Sequence, residues 1–310
     1  MTPFASALAF WRQVRDSDLY WSFRSSRTVV VSAAVTLAFI VAALAAPVVA
    51  PHNPFDLASL DLSDAFKPPA WIEGGDASFL LGSDDQGRDV LSTIIYGSRI
   101  SLAVGFLSVI LALVLGTTLG LIAGYSGGFV DAFIMRAADV QLSFPAILIA
   151  LLIDGITRSV LGQDRHSEVA VVVLVISIGL SYWVHYARAV RGSVLVERNK
   201  EYVLAARVMG LPGPLIAIRH VLPNAMGPVL VLSTINLALA IITEATLSFL
   251  GVGVPATEPS LGTLIRIGND FLFSGEWWIT LFPSVALAVL VLAVNLLGDW
   301  LRDALNPKLR

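Results

Sequence analysis

The sequence predicts an all-α, polytopic membrane protein with six transmembrane helices and both termini cytoplasmic. Three observations carry that expectation. Of 310 residues, 56% are hydrophobic and only 14% charged, too apolar a balance for an ordinary soluble domain. Six apolar runs approach the roughly 20 residues needed to cross a bilayer, near 28–49, 100–123, 137–156, 169–187, 225–245 and 279–298. An even number of spans puts both termini on one side. Basic residues crowd that side, leaving only Lys67, Arg88, Arg99, Arg158, Arg165 and Arg266 opposite, and the crowded side is the cytoplasmic one.

Residues 1–27 precede the first span. Phe4, Leu8, Trp11 and Leu19 fall along one helical side, which suits an interfacial helix lying on membrane lipid; a disordered tail is the alternative. Ala43-Leu44-Ala45 resembles a signal-cleavage site, but the basic leader runs to Arg27 and the apolar run is longer than a signal core. The first span is therefore read as retained. The unit 28–99 adds a long acidic outer loop. In it Ser83-Asp84-Asp85-Gln86 has capping-box spacing, and Val90, Leu91, Ile94 and Ile95 predict an amphipathic helix leading into the second span. Asp84, Asp85 and Asp89 lack the alternating oxygen ligands of a calcium loop.

Residues 100–298 form the core. Gly116, Gly120 and Gly124 recur every four residues on the second span, the small-residue pattern that lets membrane helices pack closely. Asp139, Asp154, His185 and Glu244 interrupt the third, fourth and fifth runs. Trp277 and Trp278 mark the outer interface and Trp300 the inner one, ahead of a short cytoplasmic tail, 299–310.

The most informative stretch is the polar-flanked loop 191–223, on the cytoplasmic side. Asn199 is a plausible N-cap, Glu201 suits the first turn, Gly210 closes the helix and Pro212 prevents its continuation. Pro214 opens a second helical turn that Pro223 stops. Tyr202, Ala205 or Ala206, and Met209 share a face that a partner can approach; an ordinary helix-turn-helix loop is the bland alternative.

Leu204-Ala205-Ala206, three residues, Gly210, nine residues, then His220-Val221-Leu222-Pro223 resembles the coupling loop of bacterial ABC importer permeases. Leu204 replaces the usual acid and His220 the first aliphatic residue. Leu81 to Ser101, and the terminal run from Asn295 to Pro307, resemble the peptide-permease branch. Pro68-Pro69-Ala70-Trp71 with Glu73-Gly74-Gly75 points to its dipeptide C-subunit type. The resemblance implies a type I ABC importer permease fold. It implies ATPase coupling through Glu201, Tyr202, Ala205, Ala206, Arg207, Met209, Gly210, Leu222 and Pro223, and an outer-face motif of Gly82, Asp84, Asp85, Gly87, Arg88 and Asp89. It further implies a second homologous permease, two ATPase subunits carrying ATP and Mg, and an extracytoplasmic peptide-binding protein, all in a bacterial cytoplasmic membrane. Asp84, Asp85, Asp89, Glu258 and Asp270 are expected on the outer surface that receives that binding protein.

Other chemistries fare poorly. There are no cysteines, the four histidines lack metal spacing, and no basic block suits nucleic acid. None of Lys67, Lys200 and Lys308 follows a glycine, so the chain lacks a P-loop and is expected to bind no cofactor and hydrolyse no ATP itself. A charge at the centre of a transmembrane helix costs about 2.5–3.5 kcal/mol, which invites a functional reading. Glu244 and Asp154 lie roughly 26–28 Å from the cytoplasmic end, near the outer mouth. One reading has them lining a substrate vestibule and attracting a peptide's ammonium group; the other makes them solvated helix-end charges. A secondary transporter using Asp139, Asp154 or Glu244 lacks the internal repeats usual for that class. An intramembrane hydrolase lacks a nucleophile motif. Glutathione or chelated nickel remain alternative cargoes.

Overall fold

A computed structural model of the chain describes residues 18–56, 60–255, 257 and 259–305. A short helix α1 (Asp18–Ser25) leads through the Ser26 N-cap into α2 (Arg27–Leu44), the first span, followed by one turn, α3 (Ala46–Val49). The second span is α4 (Val90–Ser126). Next come α5 (Gly128–Leu142), α6 (Ala146–Leu161) and α7 (Gln163–Glu197). The coupling segment contains α8 (Glu201–Val208), then α9 (Gly213–Ile216), a π-turn over Ala217–Val221, and α10 (Leu222–Ala225). The fifth and last spans are α11 (Gly227–Phe249) and α13 (Trp278–Leu305), with α12 (Leu261–Phe271) between them.

Among the described residues, five helices are long and apolar enough to cross a membrane unaided. A sixth crossing requires α5 and α6 together, bent by 93°. The expected straight span 137–156 is therefore two helices that break at Ser143-Phe144-Pro145. Pro145 fixes its own φ and keeps Phe144 out of the helical region, so the chain turns there although its hydropathy continues. The separate amphipathic helix ahead of the second span does not exist either. Val90 begins a single 37-residue helix, long enough at 1.5 Å per residue to cross the bilayer and stand above it. The last helix likewise runs to Leu305, so much of the expected tail continues the last span. The expected interfacial helix falls mostly on residues 1–17, outside those described. Its described end, α1, is anchored where Trp300 meets Phe23 edge to face and donates to Ser22.

The glycine repeat explains the central packing. A β-carbon at Gly116 would lie 2.3 Å from the Trp183 carbonyl, one at Gly120 2.5 Å from the Ala187 carbonyl, and one at Gly124 2.9 Å from Val194. The three glycines thus bring the α4 and α7 backbones together along the C-terminal half of α4. α5 is tied to α7 by ion pairs, Arg191–Asp131 at 2.5 Å and Arg188–Asp139 at 2.5 Å, and by Trp183 donating to Gln141. Asp139 is thereby accounted for as a helix-pairing charge. A second core brings Val90 and Ile94 of α4, Ile241 of α11 and Leu261 and Leu264 of α12 against Trp278, Leu290 and Val294 of α13.

Candidate functional site

The coupling segment begins at the end of α7, which extends past the expected boundary at 191. Lys200, not Asn199, occupies the N-cap of α8, and the Asn199 amide instead donates back to Leu195. Tyr202 donates to Glu197 at 2.7 Å and accepts from Asn224 at 3.3 Å, so one phenol joins both flanks of the segment. Burial and the Glu197 carboxylate hold that phenol above its ordinary range. Val203 and Ala206 are buried in the same core cluster as Ile216, Ala217 and Val221. Ala206 therefore faces this chain's own core and not a partner. The outward stripe comprises Leu204, Ala205, Val208 and Met209, with Val208 88% and Met209 72% exposed. Arg207 turns back over the Tyr125 ring. Gly210 has φ +79°, and Leu211 N–H returns to the Ala206 carbonyl, a left-handed helix closure. Leu222 is half-buried beside this closure and Pro223 is exposed.

The outer motif is a folded cap. Asp84 accepts the backbone N–H groups of Gln86 and Arg88 at 2.9 Å each, and the Arg88 side chain at 2.6 Å. Asp89 is the N-cap of α4, accepting from Ser92 N–H at 2.9 Å, so the cap is Asp89-x-x-Ser92 and not the Ser83–Gln86 box. Gly82 and Gly87 both have positive φ. A β-carbon on either would run into the Lys67 carbonyl and Trp278 ring, or into the Asp61 carbonyl. Trp278 donates to the Ser83 carbonyl at 3.0 Å, fastening the cap to α13. Asp84 and Asp89 are buried, which contradicts their expected place on a partner-binding surface. Asp85 is half-buried, and desolvation beside the Asp84 charge raises its pKa. Asp270 is exposed, together with Asp56, Asp61 and Glu73; Glu258 lies outside the described residues.

Neither membrane carboxylate lines an open vestibule. Glu244 is 0% exposed. Its Oε2 accepts from Ser101 of α4 at 2.7 Å and its Oε1 from Ser248 of α11 at 2.8 Å. The Ser101 oxygen in turn accepts the Leu261 N–H at the start of α12, at 3.2 Å. A buried polar group left without its hydrogen-bond partner costs about 1–3 kcal/mol, so these contacts join the helices that carry them. Asp154 is also buried, paired with Arg158 one turn later at 2.6 Å. The Arg158 guanidinium reaches across to the Gly251 carbonyl at 3.2 Å.

The family model described as binding-protein-dependent transport system inner membrane component matches residues 116–310. The chain belongs to that family. A second model, the N-terminal transmembrane domain of oligopeptide transport permease C, matches residues 10–69. Among curated relatives, the dipeptide transport system permease protein DppC of Haemophilus influenzae is 36% identical over 94% of this chain and 95% of its own length. The DppC of Escherichia coli K12 is 40% identical, over 94% and 93%. A di/tripeptide permease DppC of Pseudomonas aeruginosa is 38% identical, over 94% and 92%. A chain from inward-facing structures of the MetNI methionine ABC transporter superposes with a TM-score of 0.53 at 19% identity, covering 69% of this chain and 96% of that one. The fold is that of an ABC importer permease.

Within this permease, sequence reasoning missed the residues around the carboxylates, among them Ser101, Ser248 and Arg158. Ser248 and Arg158 each stand four residues from the acid they serve, a helical spacing readable in advance. Ser101 is 143 residues from Glu244, and nothing local announces that contact.

Proposed function

We propose that this chain is the transmembrane permease of an ATP-driven importer of di- and oligopeptides in a bacterial cytoplasmic membrane. It forms half of a pore with a second, related permease, and two separate ATPase subunits carry ATP and Mg. An extracytoplasmic binding protein delivers the cargo, and both termini are cytoplasmic. The single observation that supports this best is the coupling segment: an exposed apolar stripe, Leu204 to Met209, mounted on a buried base and closed by a left-handed glycine. A short helix of that form fits a groove in a soluble partner, and it needs no chemistry of its own. The names of the full-length relatives support the peptide cargo.

The test is co-expression with candidate partner subunits and reconstitution into liposomes. ATP-dependent uptake of a labelled dipeptide is the expected result. Uptake driven instead by an ion gradient without ATP would overturn the transporter class. ATP-dependent uptake of glutathione or a nickel chelate, with none of peptides, would overturn the cargo.

A further inference from the structure

Both membrane carboxylates converge on one corner of the fold, the outer turn between α11 and α12. On one side Arg158, oriented by Asp154 of α6, donates to the Gly251 carbonyl. On the other, Glu244 gathers Ser248 and Ser101, and Ser101 receives the Leu261 amide. The corner is fitted tightly between these points. A β-carbon at Gly262 would lie 2.3 Å from the Ala245 carbonyl, and one at Gly97 would lie 3.3 Å from Leu261 N. Gly251 has φ +81°, and Arg266 of α12 packs where its β-carbon would stand. The N-terminus of α12 thus rests on α4 and α11 through polar contacts made inside an apolar interior.

We infer that Asp154–Arg158 and Glu244–Ser101 form a two-point latch that seats α12 over the outer end of the bundle. The inference rests on the permease reading, in which the outer end must alternate between closed and open. An apolar contact gives way gradually as two surfaces part. The buried Leu261 N–H, received by the Ser101 hydroxyl that Glu244 orients, has no substitute partner inside the apolar interior once α12 lifts away, so the contact is either made or broken. That property suits an element with two discrete positions. Glu244, Ser101, Asp154 and Arg158 are positioning residues here, because they act on α12 and not on cargo.

The chain has no cysteine, so a single Thr263→Cys on α12, at a site 1% exposed, reports the seating directly. The complete complex in lipid nanodiscs is labelled with a maleimide in four backgrounds: unmodified, Ser101→Ala, Arg158→Leu and Glu244→Gln. Slow labelling is expected in the first, and at least fivefold faster labelling in Ser101→Ala and Arg158→Leu. Glu244→Gln retains an acceptor and a donor for the reorientable hydroxyls of Ser101, Ser248 and Ser260, so it stays within about twofold of the unmodified rate. ATP hydrolysis without binding protein rises in step with labelling. Equal labelling in all backgrounds overturns the latch, as does acceleration confined to variants that fail to assemble. Failure of the unmodified complex to take up cargo with ATP would instead strike the function reading, leaving the labelling comparison to decide the latch.

Discussion

Gly210 holds φ +79°, and a β-carbon added there would meet nothing within 4 Å. Space is therefore not the constraint; backbone conformation is. A non-glycine residue in the left-handed region costs about 1–2 kcal/mol, more when β-branched. Gly210→Val is expected to lower uptake at least tenfold and to release ATP hydrolysis from cargo, with membrane levels unchanged. Gly210→Asn, which tolerates the left-handed region, retains most uptake. Normal uptake by the valine variant would remove Gly210 from the coupling role. This position was legible in the sequence because Gly followed by Pro212 is local punctuation. The environment of Glu244 was not. Counting residues placed it near the outer end of its helix, but Ser101 of α4 binds it and the start of α12 closes over that serine, and burial follows from this assembly.

Among the elements, the α4–α7 pair shows a pattern read correctly and the α5–α6 pair one read wrongly. Small residues every four positions on α4 do meet a facing helix, and the facing atoms at Gly116 and Gly120 are backbone carbonyls that cannot rotate away. Gly120→Val should separate the helices and cost about 1–3 kcal/mol by overpacking. A lower melting temperature of the detergent-purified permease would register it, and an unchanged one would contradict the close approach. The break between α5 and α6 was concealed by continuous hydropathy, although Pro145 signalled it. The outer loop supplies a pH test. Backbone N–H donation from Ser78, followed by the Lys67 ammonium, holds the half-buried Asp76 carboxyl down at about 2, from an ordinary 3.8. A depressed folded value means that the contribution to loop order is complete above 3.8 and is lost as pH falls through about 2. Carbon-13 NMR of the Asp76 carboxyl should give a midpoint near 2. A midpoint at the ordinary value would mean that this loop is not closed.

At the scale of the whole molecule, the chain presents one coupling stripe and exposes much of its membrane surface. Phe106, Ile110, Val114 and Ile122 run along one side of α4 at helical spacing, all at least 40% exposed, and that side ends beside the coupling segment. On the reading proposed above, one stripe serves one ATPase groove, and the second ATPase subunit docks on a different, related permease. The stripe's energy is apolar: about 25 cal/mol for each Å² removed from water, so a charge at its centre should abolish docking without disturbing the buried base. Val208→Asp replaces the most exposed member and touches neither Val203 nor Ala206. The variant is expected to reach the membrane and to pair with the second permease at normal levels, while co-purified ATPase falls at least fivefold. Quantitative mass spectrometry of the affinity-purified complex reads all three at once. Undiminished ATPase would move the docking surface elsewhere on the chain. An active complex containing this permease as its sole membrane subunit would refute the pairing.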